Sequence, residues 1–164
     1  HLNGISKLFA LPDLKLGWVA LSGPARAEYA DRLELLNDTF LGANSLTQAM
    51  LPDLFEHGDA FAAQMRARVH GNLDLGLRLL NGSASFRAQP PDGGYYLFPE
   101  VLGWGDEEEL VLHLLEHGVL AHPGYFYGYE VGTHLMISAL TEPGAFAEGL
   151  ARLVAAAERG PADR

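Results

Sequence analysis

The 164-residue sequence contains no cysteine. That absence excludes disulfides, thiolate nucleophiles and cysteine–zinc centres, and suits a reducing cytoplasm. Positive charge is scarce: 11 lysines and arginines stand against 21 acidic residues, a formal net charge of −10. Such a balance argues against nucleic acid or an anionic membrane surface as partner. No apolar run is long enough to span a bilayer, and no basic-then-apolar leader opens the chain. There are no internal repeats or low-complexity segments. P-loop, G-x-S-x-G and G-x-G-x-x-G signatures are missing, and Ser6 does not begin an S-x-x-K. Lysine is the sharpest shortage, with Lys7 and Lys15 the only two.

What is present gathers around those lysines. Residues 2–21 read LNGISKLFALPDLKLGWVAL, and the leucines, Phe9, Trp18 and Val19 predict a largely buried segment. Lysine is costly to bury unless its charge is paired or its proton lost. A desolvated lysine with a lowered pKa attacks carbonyls to form Schiff bases. A second cation one short loop away suits a phosphate. Together they point to pyridoxal phosphate, held as an imine at one end and as an anion at the other.

The segment Ser6-Lys7, four residues, Pro12-Asp13-Leu14-Lys15-Leu16-Gly17-Trp18 resembles the Schiff-base signature of the fold-type I pyridoxal-phosphate aminotransferases. That pattern is Ser-Lys, a short apolar loop, Pro-Gly, a cation eight residues after the lysine, then Gly-Trp. The resemblance implies that Lys7 carries the cofactor and that Lys15, with Ser6, contacts its phosphate. Three positions depart from the pattern: Lys15 replaces a common arginine, Asp13 a glycine, and Gly4 a frequent hydroxyl residue. A lysine offers a point charge where arginine grips two oxygens. The family places most of its large domain before the lysine, so this chain is expected to be the C-terminal part of a longer protein. The implied fold is α/β. It comprises the last strand and loop of the large domain over 1–58, then an inter-domain helix over about 59–80. That helix leads a small α+β domain over 59–164, with a short, mainly antiparallel sheet covered by helices.

Along the chain, 15–22 reads as a strand stopped by Gly23-Pro24. Pro24 opens a helix to about Leu41 with Tyr29, Leu33, Leu36 and Phe40 on one stripe and Gly42 as C-cap. The joint 43–48 precedes a helical patch over 48–56. By resemblance Asn44, Ser45 and Gln48 are cross-subunit contacts in a homodimer; equally, Ser45 caps the next helix. Asp59 caps a long helix striped by Phe61, Met65, Val69, Leu73, Leu77 and Leu80. Stretches 85–89 and 94–99 read as a hairpin around Pro-Pro-Asp-Gly-Gly. Tyr95 then touches substrate by resemblance, or packs half-buried as strand tyrosines do.

An acidic turn, 106–109, starts a helix to His117 that Gly118 ends. A strand over 119–121 leads to His122-Pro123-Gly124-Tyr125-Phe126, which resembles the Pro-Gly-x-x-Phe loop bordering aminotransferase active sites. His122 is therefore a substrate-side candidate, or a structural histidine. The next strand is 135–140, and a final helix, 143–159, buries Phe146, Leu150, Leu153 and Val154. The tail 160–164 is expected to be disordered.

His113-Leu114-Leu115-Glu116-His117 spells a zinc-peptidase order. However, a buried face of Leu110, Val111, Leu114 and Leu115 turns both histidines to solvent, and no third ligand follows, so no metal is expected. In the late strand, Met136 stands where the family's carboxylate-binding arginine is expected, in His134-Leu135-Met136-Ile137-Ser138. Arg87 or His134 is the substitute, or the substrate is not an ordinary α-amino acid.

The implied activity is transfer of an amino group from an amino acid to a 2-oxo acid. In it Lys7 moves a proton as general base and acid, a role that needs an amine pKa near working pH. With the upstream domain absent, the fragment alone is expected to be inactive. A lyase on the same cofactor, or a catalytically silent aminotransferase-like regulatory domain, are the competing readings.

Overall fold

In the computed structural model, residues 1–160 are described, and the chain divides into a unit from His1 to Met65 and a unit from Arg66 onward. The expectation of a disordered tail falls on 161–164, outside the described residues.

The first unit begins with a strand pair. Strand β1 (Leu2–Gly4) lies antiparallel to β2 (Gly17–Val19), with Gly4 opposite Gly17. β2 is shorter than the strand expected over 15–22, because Lys15 bends the chain first. Between the strands run a four-residue helix, α1 (Ile5–Leu8), and a 3₁₀ turn over Pro12–Leu14. Ile5, Phe9, Leu16 and Ala62 form a small buried cluster, flanked by Leu11, Leu14, Trp18, Leu51 and Leu54. Full burial of a side chain such as Ile5 contributes roughly 1.5–3 kcal/mol. Phe55 adds edge-on contacts to Phe9 at 5.5 Å and Trp18 at 5.8 Å.

Helix α2 (Gly23–Thr39) buries none of its residues, and the stripe of Tyr29, Leu33, Leu36 and Phe40 lies exposed. Gly42 is not its cap: the chain leaves the helix at Phe40, and Leu41 takes the left-handed conformation at φ 72°. α3 (Ser45–His57) starts before the expected 48, because the Asn44 side chain accepts from the backbone N–H of Leu46 and Thr47. Asn44, not Ser45, is therefore the N-cap. α4 (Asp59–Asn81) continues from the first unit into the second.

In the second unit α4 buries Val69, Leu73 and Leu80, three residues of the expected stripe. Gly76 lets the helix approach the sheet, since a Cβ there would lie 2.4 Å from Leu97 Cδ1. The expected hairpin over 85–99 does not form. Strand β3 (Phe86–Arg87) pairs with β5 (Glu100–Val101), whereas β4 (Tyr96–Leu97) pairs with β7 (Leu135–Ser138). The cause is local: Ala88, the next residue of β3, exchanges both backbone hydrogen bonds with the Asn81 side chain, at 2.8 and 2.9 Å. Asn81 thus stands in for a partner strand and stops β3.

Helix α5 (Glu107–Glu116) is capped by Asp106, which accepts from Glu109 N–H at 2.8 Å. It ends as expected at Gly118, where Gly118 N–H reaches Leu115 O and Val119 N–H reaches Leu114 O. That pair of bonds is the Schellman pattern. β6 occupies His122–Pro123 rather than 119–121, and pairs with β7 to give the order β4-β7-β6. β7 stops at Ser138, short of the expected 140, because buried Asn72 takes over the carbonyls of Ala139 and Thr141, at 3.0 and 2.8 Å. Helix α6 (Pro143–Ala157) buries Phe146, Leu150, Leu153, Ala156 and Ala157. The result is the expected α/β chain with short antiparallel sheets and covering helices.

Candidate functional site

Two clusters carry chemistry, one in each unit. In the first, the α1 loop is pinned at both ends by the apolar cluster. Ile5 N–H donates to Leu16 O at 3.1 Å, which closes the base of the loop that carries Lys7, two residues beyond Ile5, and Lys15, next to Leu16. The pinning needs Gly4: a Cβ there would sit 2.9 Å from Leu16 O and 3.2 Å from Gly17 Cα. A hydroxyl residue at this place would force the strands apart, which accounts for that departure from the aminotransferase pattern. Asp13 is accommodated because it lies within the 3₁₀ turn, where glycine is not required. Lys15 follows in the left-handed conformation, φ 49° and ψ 53°. A non-glycine residue held there is under strain of roughly 1 kcal/mol, a feature that concentrates at functional sites.

The expectation of buried lysines is corrected. Ile5, Phe9 and Leu16 point into the cluster, and this leaves Lys7 and Lys15 exposed and Ser6 half-buried. The apolar neighbours hold the loop's shape.

The second cluster lies on the β6–β7 pair. His122 stands opposite Met136, and Pro123 opposite Leu135. Leu135 is fully buried, so strand alternation sends His134, Met136 and Ser138 to the other side, together with His122. Two histidines thus flank the methionine. His122 Nδ1 shares a hydrogen bond of 2.8 Å with the Tyr127 hydroxyl. The His134 ring stacks on Phe98 at 5.1 Å and meets Tyr129 edge-on at 4.7 Å, and its Nδ1 is buried without a hydrogen-bond partner. Tyr125, Phe126, Tyr127 and Tyr129 crowd an exposed aromatic loop beside it. An apolar cavity of about 340 Å³ opens next to this pair, lined by Leu120, His122, Met136, Ile137, Phe146 and Leu150 among others.

Glu107 holds this arrangement and was not apparent in the sequence, where it reads as one of four acids favouring a helix N-terminus. One carboxylate oxygen accepts the Tyr125 N–H at 2.8 Å and the other the His134 N–H at 2.7 Å. Gly124 N–H in turn donates to His134 O at 2.9 Å.

The remaining candidates are dispersed. Arg87 lies 3.5 Å from the Glu100 carboxylate across the β3–β5 pair and is well exposed. Tyr95 is half-buried, with its ring 4.5 Å from Tyr96 and its carbonyl accepting from Ala139 N–H at 2.8 Å. In the first unit, Gln48 Nε2 donates to Ala43 O at 2.8 Å, which ties the joint before α3 to that helix. His113 and His117 are half-buried rather than solvent-facing. His113 donates to Ala156 O at 3.0 Å and packs on Trp104, and His117 donates to His113 O at 2.8 Å. Leu115, expected inside, is exposed in their place. Among the described residues no group of three or more His, Asp or Glu could hold a metal, and no helix is long and apolar enough to cross a membrane.

The family model for aminotransferase class I and II matches residues 1–153. A probable aspartate aminotransferase of Methanocaldococcus jannaschii is 27% identical over 149 residues, covering 86% of this chain and 38% of that protein. The glutamate-pyruvate aminotransferase of Escherichia coli K12 is 24% identical over 147 residues, covering 84% of this chain and 36% of its own. The chain therefore spans well under half the length of these relatives. Among solved structures, a PLP-dependent aminotransferase from Streptococcus suis superposes with a TM-score of 0.85 at 21% identity, covering 99% of this chain and 42% of that one. An aspartate aminotransferase from Rhodobacter sphaeroides gives 0.84 at 27% identity, covering 98% and 40%.

Proposed function

The chain belongs to the class I and II aminotransferases, and from that premise we propose that it is the lysine-bearing, C-terminal part of a pyridoxal-phosphate enzyme moving an amino group from an amino acid to a 2-oxo acid. The observation that supports the proposal is the pinned loop, whose closed base lies two residues before Lys7 and one after Lys15. The residues present fit the cofactor: an amine for its aldehyde, a cation for its phosphate, and a Gly4–Gly17 crossing that keeps side chains out of the turn. Bound pyridoxal phosphate supplies an electron sink that acidifies the Cα–H of an attached amino acid.

Lys7 Nζ would hold the cofactor aldehyde and, as a free amine, would accept a proton from the substrate carbon and return it. Lys15 would anchor the phosphate as a point charge, and Ser6 would add a hydroxyl. Tyr95, His122 and Arg87 are the substrate-side candidates; the pairing of Arg87 with Glu100 favours His122 among them. We assign 1–58 to the large domain and 59–164 to the small one. The exposed stripe on α2 and the Asn44–Gln48 joint suit a homodimer interface in a cytoplasmic enzyme. Met136 favours one second reading, a lyase on the same cofactor, which turns over without a keto acid.

Borohydride reduction of the full-length protein with pyridoxal phosphate, followed by peptide mapping, is expected to place a phosphopyridoxyl group on Lys7. Lys7→Ala is expected to remove the label and lower turnover by about 10²–10⁴-fold or more. Label only on other amines would overturn the proposal.

A further inference from the structure

We propose that Glu107 is a positioning residue for substrate binding at the β6–β7 face, an assignment that rests on the aminotransferase reading. Its two carboxylate oxygens take one N–H from each end of the aromatic loop, Tyr125 at 2.8 Å and His134 at 2.7 Å. One side chain thereby joins both ends of the loop, beside the backbone bond from Gly124 N–H to His134 O. The two histidines that flank Met136 both depend on it. His122 is held from within the loop through the Tyr127 hydroxyl, and His134 is fixed at its own backbone with its ring set between Phe98 and Tyr129. Close packing shows how little slack the clamp has: a Cβ at Gly124 would fall 2.8 Å from Glu107 Oε1 and 2.9 Å from His134 Cβ.

A carboxylate is the group this geometry requires. Both of its oxygens accept, whereas a carboxamide presents one acceptor and one donor, so one of the two N–H groups would face another N–H. Glu107→Gln therefore breaks half of the clamp at almost constant volume. With no guanidinium at position 136, the polar groups of this face are His122, His134 and Ser138, and the Glu107 clamp sets the loop that positions His122 there, so substrate affinity follows the loop's position.

The test uses the full-length holoenzyme and its Glu107→Gln and Glu107→Asp variants, with pyruvate and 2-oxoglutarate as probes. Three quantities are read: amide hydrogen exchange at Tyr125 and His134, equilibrium binding of each 2-oxo acid, and KM and kcat separately. For Glu107→Gln we expect faster exchange at one or both amides and about tenfold weaker binding and higher KM. The expectation for kcat is a change within about twofold, with cofactor labelling at Lys7 unchanged. Glu107→Asp, which keeps two acceptors on a shorter stem, is expected to recover part of the affinity. Wild-type exchange and wild-type affinity in Glu107→Gln would overturn the assignment, as would faster exchange with unaltered affinity, which makes the clamp merely structural. A wild-type protein that carries the cofactor on Lys7 yet turns over no amino acid with either 2-oxo acid overturns the aminotransferase reading instead. Binding and exchange are still read in that case.

Discussion

The lysine loop and the β6–β7 face solve the problem of holding a functional group in opposite ways. The loop is short-range: Ile5, Phe9 and Leu16 lie within a dozen residues of one another and, with Ala62, make a cluster of four buried side chains. The β7 face is long-range, built from α4, two sheets, α5 and α6, with buried side chains drawn from Val69 to Ala157. A motif confined to one stretch can be recognised from spacing alone, whereas a face assembled from distant segments needs the tertiary structure. The small core of the first unit also leaves α2 with its apolar stripe uncovered, while the second unit buries its helices well.

That contrast can be broken by substitution. Leu114, fully buried in α5, is expected to cost about 2–5 kcal/mol on change to alanine. Leu36, half exposed on α2, is expected to cost less than about 0.5 kcal/mol in this chain by the same change. Denaturant unfolding of the two variants measures the difference, and equal costs would mean that α2 is packed after all. Gly4→Ala probes the loop itself. Its methyl would meet Leu16 O at 2.9 Å, and strain of roughly 1–3 kcal/mol, with loosened exchange at the Ile5 amide, is the expected result. The smallest effect is at the start of α6, where Glu142 accepts from Ala145 N–H at 3.0 Å. That backbone bond holds the Glu142 carboxylate below its ordinary pKa. A depressed folded-state pKa means the cap contributes above the unfolded value and fades as pH falls through the folded one. Glu142→Gln should therefore be slightly less stable than the parent at neutral pH, the two converging as pH falls through the Glu142 pKa, so that the variant's acid titration is slightly flatter.

The residues also show which features spacing could reveal. Lys7, Lys15 and Gly17-Trp18 stood out because their relation is local, and Gly118 because a Schellman end needs only its own turn. The α6 stripe of Phe146, Leu150 and Leu153 followed from periodicity. The hairpin at 85–99 failed because its turn signal was real but its pairing was decided elsewhere, by Asn81 on one side and β7 on the other. His113 was misplaced because Trp104 and the end of α6 recruit a side chain that the helix period turned outward. Glu107 was missed for the same kind of reason: its partners lie 18 and 27 residues away, and nothing in an acidic run marks which acid reaches them.

The crowding at Gly124 has a historical side. Any larger residue there collides with the carboxylate at 107 and with the backbone-linked Cβ of His134. A lineage can therefore accept alanine at 124 only if the side chain at 107 is shortened and the backbone at 134 also gives way, and shortening 107 first weakens the hold on the loop. Positions 107 and 124 therefore narrow the substitutions open to one another, while at 134 the contacts fall on the backbone N–H and Cβ that any residue but glycine and proline supplies.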